Sequence, residues 1–295
     1  KKGTLFRYIP VSGFPRMLLK NDSGFSTNWS QVGVDAQPFV YYVTPGVGDL
    51  PTIQSAIDKA FDDGSSTNGH IATIYVPPGT YTENLIFKPG QNLVAQSSQV
   101  AVGAVNIVGQ HSYTPPVNSD PLSVLVGLQG FSFINTINGS TISFLGPNGA
   151  LFSVAGCSFI KQGSGNCILG SNAGAILVIA NTSTTSNQGT DVLIDSDCFI
   201  TVLNGVSYSD GSPNGMLIYR GAGFVTLGMT QSSCNAPFVI DIQSGFVNAT
   251  YNTFVTGLAN SDCVRIAAGA TMNLVHSSLS CPAGTGYVMQ GNGTI

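Results

Sequence analysis

Asp195 and Asp197 lie two positions apart at the end of an apolar run, a spacing that can support chemistry. On a β-strand such a pair projects from one side with Cα atoms ~7 Å apart, within the range of the paired carboxylates that cleave glycosidic bonds. Arg220 and Asp241 are further charged residues within strand-like apolar runs. These four are the candidate catalytic residues, and the reaction would be acid–base chemistry on a polysaccharide.

The spacing of the chain also favours a structural role for two of them. Asp195 falls three positions after Val192 and Arg220 three after Leu217, and Val192 and Leu217 are equivalent positions of the repeat described below. The register therefore places Arg220 beside Asp195 on the next coil. An exposed cross-strand ion pair accounts for both charges.

Asp241 is unusual because other copies of the repeat carry an apolar residue at its position. A buried carboxylate without a partner is costly, and the step into this copy is short. We therefore expect a local slip that turns Asp241 outward and Ile240 inward. A functional carboxylate is the alternative.

A short apolar pattern that returns about every two dozen residues predicts the elements that position these side chains. One ladder steps by 24, 25, 22, 25 and 24 residues, and a second runs in phase with it by 24, 24, 25, 22 and 25. The first comprises Ile168, Val192, Leu217, Val239, Val264 and Val288, and the second comprises Leu151, Ala175, Phe199, Phe224, Phe246 and Thr271. Clusters of Gly, Asn, Ser and Thr between the ladders, such as residues 172–174 and 184–189, predict turns.

Each repeat is therefore predicted to contain strand, turn, strand and turn, which leaves too few residues for a helix. This pattern predicts an all-β protein, a parallel β-helix or β-solenoid, in which equivalent side chains stack from coil to coil. Residues 40–295 form this predicted domain. Residues 1–39 carry neither ladder and are interpreted as an N-terminal arm or linker.

A capping α-helix is predicted at about residues 51–62. Pro51 suits a first helical turn, and apolar residues recur at helical spacing after it. The apolar stripe comprises Ile53, Ala56, Ile57, Ala60 and Phe61. Such a helix would cover the core and the strand edge of the first coil.

Two segments carry a family resemblance. Residues 52–58 (TIQSAID) and 74–84 (IYVPPGTYTEN) resemble the opening of pectin-lyase-like right-handed β-helices, pectinesterases in particular. The resemblance implies a right-handed parallel β-helix and activity on polysaccharides. It also implies two Asp, an Arg and Gln residues on neighbouring coils, but the nearest match, residues 195–199, lacks the expected following Gly-Arg. The motifs of the related polygalacturonases match only in part and in the wrong order, so the resemblance covers the cap and the first coil.

The period blurs between about residues 90 and 147, where a loop is predicted at residues 110–121. Insertions on one side of a solenoid are common places for binding. His111, Tyr113 and Asp120 are therefore the candidate ligand-binding residues.

The cysteines are predicted to remain free thiols. Cys167 and Cys263 occupy equivalent positions four coils apart, and Cys234 and Cys281 equivalent positions two coils apart. At ~4.8 Å per coil these separations exceed the ~7 Å that a disulfide spans between Cα atoms. The three histidines are dispersed, so no metal site and no cofactor are expected.

The amino-acid composition limits the classes of partner that the chain is expected to bind. Charged residues make up 8% of the chain and the formal net charge is −4, with the basic residues scattered, which argues against nucleic acid. No apolar run is long enough to span a bilayer, so membrane insertion is not expected. The exposed surface must consist mostly of Ser, Thr, Asn and Gln.

Two function classes remain. The first is a non-enzymatic structural or attachment module, since the uncharged surface and projecting column resemble viral and phage spike or fibre proteins. Such a module would contact a polysaccharide or host-surface glycan, form a homo-oligomer such as a trimer, and lie on a virion surface or outside the cell. The alternative is a polysaccharide-active enzyme, similar to a pectinesterase, lyase or glycoside hydrolase, on the same scaffold. The absence of each familiar catalytic set favours the first.

Overall fold

The computed structural model describes residues 6–11, 14–20, 29–31, 39–46, 48–65, 71–96, 104–114, 125–145, 151–171, 176–180, 182–186, 190, 192–195, 200–204, 207–209, 215–221, 223–229, 231–281, 284, 287–289 and 294–295. The chain divides into two compact units, residues 1–38 and residues 39–295. The first unit, predicted only as an arm or linker, contains a three-stranded antiparallel sheet. Its strands are β1 (Phe6–Val11), β2 (Phe14–Lys20) and β3 (Trp29–Gln31).

The second unit is a parallel β-solenoid with three faces, each face being one parallel sheet. Face 1 consists of β4 (Val40–Tyr42), β5 (Ala72–Val76), β8 (Gln91–Ala95), β11 (Val126–Gln129), β14 (Leu151–Ala155), β17 (Ile176–Ala180), β20 (Ile200–Asn204), β23 (Phe224–Gly228), β26 (Phe246–Thr250) and β29 (Thr271–Val275). Face 2 consists of β6 (Gly79–Thr82), β9 (Val105–Val108), β12 (Ser132–Asn135), β15 (Ser158–Lys161), β18 (Ser183–Ser186), β21 (Ser207–Ser209), β24 (Gln231–Cys234), β27 (Thr253–Thr256) and β30 (Ser278–Ser280). Face 3 consists of β7 (Ile86–Phe87), β10 (His111–Tyr113), β13 (Ile142–Leu145), β16 (Ile168–Ser171), β19 (Val192–Asp195), β22 (Leu217–Tyr219), β25 (Ile240–Ile242), β28 (Val264–Ile266) and β31 (Tyr287–Met289). The predicted all-β parallel solenoid is confirmed.

The prediction of two strands in each repeat is wrong, because each complete coil has three. The strands that the two ladders miss lie on face 2, whose sequences from β18 onwards are short and rich in Ser and Thr. Residues 183–186, for example, form β18, although residues 184–189 carry turn-forming residue types. Strand β27 shows why such a segment is hard to recognise: Phe254 is the one apolar side chain that it buries, and Thr256 is the other buried residue.

The strand register differs from the predicted ladders by one residue at several coils. Ile240, not Val239, pairs with Leu217 and with Val264, so the predicted slip before Asp241 is confirmed. Single-residue shifts also replace Ala175, Phe199 and Val288 of the ladders by Ile176, Ile200 and Tyr287. Because side chains alternate along a strand, a shift of one residue exchanges the buried and exposed positions.

The core is a column of side chains stacked from coil to coil. Phe133 stacks on Phe159 with ring centroids 5.2 Å apart, and Phe144 stacks on Tyr113 at 5.8 Å and on Phe152 at 5.3 Å. The first two spacings follow from the ~4.8 Å separation of neighbouring strands, whereas Phe144 and Phe152 meet across the core from face 3 and face 1.

The capping helix is α1 (Ile53–Asp62), which packs against β4 and β5. It begins after Thr52, whose side chain accepts a hydrogen bond from Ser55 N while the Ser55 hydroxyl accepts one from Thr52 N. The predicted stripe is buried except for Phe61, which is exposed and lies 4.8 Å from Lys88 Nζ. Within the described ranges, no helix is long and apolar enough to cross a bilayer.

The carboxylate of Glu83 joins this helix to the first coil. Glu83 Oε1 accepts a hydrogen bond from Ile53 N at 3.1 Å, and Oε2 accepts one from Gln54 N at 3.0 Å. A negative charge is favourable at a helix N-terminus, where backbone N–H groups lack helical partners.

Glu83→Gln is therefore expected to lower the free energy of unfolding by about 1 kcal/mol, measured by urea denaturation. Asp62→Asn at the other end of α1 is the control, and an equal loss there would contradict this role.

The expectation that all thiols stay free is wrong for Cys263 and Cys281, which form a disulfide with Cα atoms 6.1 Å apart. Spacing between equivalent repeat positions does not reveal this pair, because Cys263 directly precedes β28 whereas Cys281 follows β30. Cys157 and Cys167 are buried. The side chain of Cys234 lies outside the described residues.

Candidate functional site

The best-defined polar cluster of the solenoid surrounds Asp241 on face 3. Asp241 lies between Ile240 and Ile242, both fully buried, so strand alternation places its carboxylate on the outer side of the sheet. It is nevertheless only 5% exposed. Arg265 on the neighbouring strand covers it: Nε donates to Oδ1 at 2.7 Å, and Nη2 donates to Oδ2. The predicted outward turn of Asp241 is thus accompanied by an ion pair that shields it.

Two further side chains complete this cluster. Gln243 Nε2 donates to Asp241 Oδ2 at 2.7 Å, and the ring of Phe238 lies 4.6 Å from Arg265 Cζ. The hydrogen bond to Asp241 raises the pKa of Arg265 above its ordinary value. The guanidinium is therefore held by a carboxylate and an aromatic face together.

Arg220 extends the cluster to a third coil. Its Nε donates to Gln243 Oε1 at 3.1 Å, so Gln243 links Arg220 to Asp241. The backbone of Arg220 lies beside that of Asp195, as the repeat predicts, since Arg220 N donates to Ile194 O at 2.9 Å. The side chain of Asp195 and all of Asp197 lie outside the described residues, so the Asp195–Arg220 ion pair and the Asp195–Asp197 acid pair stay predictions.

Sequence reasoning missed Arg265, Gln243 and Phe238. Arg265 lies one coil after Asp241, and the strand register pairs the two residues directly once Ile240 replaces Val239 in the ladder. Counting from Ile240 would therefore have paired Asp241 with Arg265. Gln243 follows two positions later, on the same side of the chain.

Within the cluster, the carboxylate of Asp241 is bonded to neighbouring side chains and is not available to a ligand. Both oxygens of Asp241 accept hydrogen bonds, three in all, from Arg265 and Gln243. A carboxylate bonded in this way must first leave Arg265 before it can attack a substrate. The exposed member is Arg220, which could bind a negatively charged or hydroxyl group.

The predicted ligand-binding residues His111 and Tyr113 do not lie in a loop. They form β10, and both side chains are buried in the core, where His111 meets Phe133 edge-on at 5.3 Å and Tyr113 stacks on Phe144. The alternation of His111 and Tyr113 around the partly exposed Ser112 is that of a strand. Asp120 lies outside the described residues.

His111 makes stability depend on pH. Burial lowers the pKa of His111 to about 3, whereas the unfolded chain has the ordinary value of about 6.5. Below pH 6.5 the unfolded chain binds a proton that the folded protein does not, so stability falls as the pH falls towards 3. Acidification from pH 7 to pH 5 is expected to cost about 2 kcal/mol. Urea titrations at several pH values test this; His111→Gln should flatten the dependence between pH 5 and 6.5, and an unchanged slope would contradict it.

A shallow recess of about 230 Å³ lies where β6, β9 and β12 end. Three of its polar side chains make hydrogen bonds within the protein. The Glu83 carboxylate binds α1, Asn84 Oδ1 accepts a hydrogen bond from Gln110 N, and Asn135 Oδ1 accepts one from Ile137 N. These contacts are structural ones.

The outer side of face 1 at β23, β26 and β29 differs from both the polar cluster and the recess. We name this surface the amide face; it comprises Phe224, Thr226, Gly228, Phe246, Asn248, Thr250, Thr271, Asn273 and Val275. Phe224 stacks on Phe246 with centroids 5.1 Å apart, and Asn273 Nδ2 donates to Asn248 Oδ1 at 2.9 Å. No residue of this set is charged. It therefore offers aromatic rings and amide groups, which can serve hydroxyl-rich ligands.

Among the residues that the structure describes, no group of three His, Cys, Asp or Glu side chains could hold a metal ion.

No protein-family model matches the chain, and no curated protein matches it. ORF18 of Geobacillus virus E2 is similar at 13% identity with a TM-score of 0.45, over 93% of this chain and 66% of that protein. The A-module of mannuronan C-5 epimerase AlgE6 from Azotobacter vinelandii aligns at 14% identity with a TM-score of 0.24, over 82% of this chain and 94% of that module. This chain thus spans just under two thirds of the viral protein, and neither likeness places it in a family.

Proposed function

We propose that the chain is a non-enzymatic attachment module that contacts glycans, at a virion surface or outside the cell. The observation that carries the proposal is the amide face, an uncharged surface with stacked rings at one edge and paired amides in its middle. Amides can both donate to and accept from sugar hydroxyls, and rings supply apolar area with little conformational freedom to lose. A solenoid holds such groups on fixed, regularly spaced strands.

The state of Asp241 further supports a binding role over a catalytic one. Its carboxylate is 5% exposed and bonded to Arg265 and Gln243, so the described acid of the cluster is already in use. An attachment module needs no free acid or base. In this proposal the cluster stabilises face 3, and assembly into a homo-oligomer would multiply the glycan contacts.

A polysaccharide-active enzyme is the second candidate, and one observation favours it. Asp241, Gln243, Arg265 and Arg220 lie on adjacent coils of one face, and these are residue types that the pectinesterase resemblance implies. For this candidate, a substrate would have to displace Arg265 from Asp241.

A binding and turnover assay on one polysaccharide panel separates the two candidates. Dextran, mannan and laminarin serve as uncharged probes, and alginate and polygalacturonate as anionic ones. We expect the purified chain to be retained on at least one immobilised probe. Failure to bind any of them would overturn the attachment proposal. If Asp241→Asn abolishes product formation by the chain, the enzyme is the correct alternative.

A further inference from the structure

Three bulky residues adopt a backbone conformation that normally belongs to glycine. Met229, Tyr251 and His276 have φ angles of 48°, 57° and 49°. Each is the first residue after a strand of face 1, namely after β23, β26 and β29. Side chains at such angles are strained; His is less rare there than most residues, whereas the bulky Met and Tyr are true outliers. We name these three residues the corner row.

Earlier coils avoid this strain at the same place. Gly156 follows β14 with a φ of 59°, and Gly130 follows β11 with a φ of 80°. Glycine is the residue expected at such a corner. The last described coils therefore carry bulky residues at a corner where earlier coils of the same chain carry glycine.

Packing does not explain the departure. A Cβ built on Gly156 would meet nothing within 4 Å, so a side chain at this place projects into open space. Met229 is 61% exposed and Tyr251 is 63% exposed, and the ring of Tyr251 stacks on that of exposed His276 at 5.1 Å. Little apolar area is buried in return for the strain. Strain without burial points to a functional role.

The corner itself is firmly held. Met229 N donates to Thr250 O at 3.2 Å, and Tyr251 N donates to Val275 O at 3.1 Å. Buried Asn252, the residue after Tyr251, donates from Nδ2 to Leu227 O at 3.3 Å. The exposed side chains therefore stand on a preorganised backbone, which lowers the entropy lost when a ligand binds.

We propose that the corner row and the amide face together bind an uncharged saccharide chain, which deepens and rests on the glycan contact proposed above. Asn248 precedes Tyr251 by three residues, ~10 Å along the strand, a distance that a short oligosaccharide spans. The row supplies ring and thioether surface for apolar sugar faces, and Asn248 and Asn273 supply amides for the hydroxyl groups. No residue of the amide face is charged, which favours neutral over uronic-acid-containing chains.

The test compares Tyr251→Gly with the parent chain on dextran, mannan and laminarin, with alginate and polygalacturonate as anionic probes. Tyr42→Ala is the matched control, because Tyr42 is also an exposed tyrosine, stacked on Tyr75 at 5.3 Å, and lies on β4 with no positive φ. We expect Tyr251→Gly to weaken binding of a neutral probe by about tenfold, the size of one anchoring contact. Its Tm should stay within about 2 °C of the parent or rise, because glycine relieves the strain. Tyr42→Ala should leave binding unchanged.

The contrary outcomes separate the site from the function. Retention on a neutral probe that Tyr251→Gly, Met229→Gly and His276→Gly all leave intact would overturn this site while glycan binding stands. Binding of anionic probes alone would overturn the neutral ligand. A fall of several degrees in Tm would make the corner row structural, and dissociation of an oligomer by Tyr251→Gly would make it an interface between copies. No binding to any probe would remove both this inference and the proposed function.

Discussion

Replacing Phe152 with alanine is expected to lower the free energy of unfolding by about 4 kcal/mol, the largest effect foreseen for a single substitution here. Phe152 is fully buried, and its ring contacts those of Phe144 at 5.3 Å, Tyr113 at 6.0 Å and Phe87 at 6.1 Å. The hydrogen-bonded strands fix the coil spacing, so the cavity cannot close easily.

Chemical denaturation measures this loss, and amide hydrogen exchange locates it. Because coils contact mainly their neighbours, protection should fall most at β10, β13 and β14 and least at β29. Ile160→Ala on the adjoining β15 is the control, since Ile160 is partly exposed and should cost no more than about 1 kcal/mol. Similar losses for both variants would contradict a column of stacked rings as the main source of stability.

Replacing Asp241 with alanine is expected to cost about 3 kcal/mol, because it leaves the guanidinium of Arg265 without its carboxylate in a partly buried position. The side chain of Arg265 is 31% exposed, so water compensates only part of the loss. Phe238 keeps the guanidinium against the sheet, and Gln243 loses an acceptor as well. The double variant Asp241→Ala, Arg265→Met should regain part of the stability, since it removes both charges.

A double-mutant cycle measures the coupling between Asp241 and Arg265. The exposed pair of Lys59 on α1 and Asp63, the residue that caps the C-terminal end of α1, offers an internal reference, for which about 0.5 kcal/mol is expected. A coupling for Asp241 and Arg265 no larger than this would show that burial adds nothing to the ion pair. It would also release Asp241 for a role in chemistry.

The solenoid was predictable from its inward-facing apolar residues. The third strand of each coil, on face 2, was not predictable from its residue types. Leu217 and Val264 recur at one period because each must fill the same place in the core. Face 2 strands such as Ser183–Ser186 bury few apolar groups, so their Ser and Thr residues resemble turns. The α1 stripe was predictable except at Phe61, which lies at the edge of the buried helical face.

The polar cluster was only half predictable because it depends on a shift of a single residue. Asp241 could be identified as anomalous, but its partner Arg265 becomes apparent only when Ile240 takes the place of Val239. The corner row was less predictable from the sequence. Gly130 and Gly156 mark a left-handed corner, but nothing in the residue types of Met229 or Tyr251 indicates that they adopt the same φ.

The central claim is that the chain binds a glycan without altering it, and analysis of the recovered glycan tests this most directly. A polysaccharide retained by the protein would be eluted after prolonged incubation and examined for chain length, new reducing ends, released methanol and unsaturated sugars. The account predicts a glycan identical to that incubated without protein. Shortened, demethylated or unsaturated products that disappear with Asp241→Asn would contradict it and assign the cluster on face 3 to catalysis.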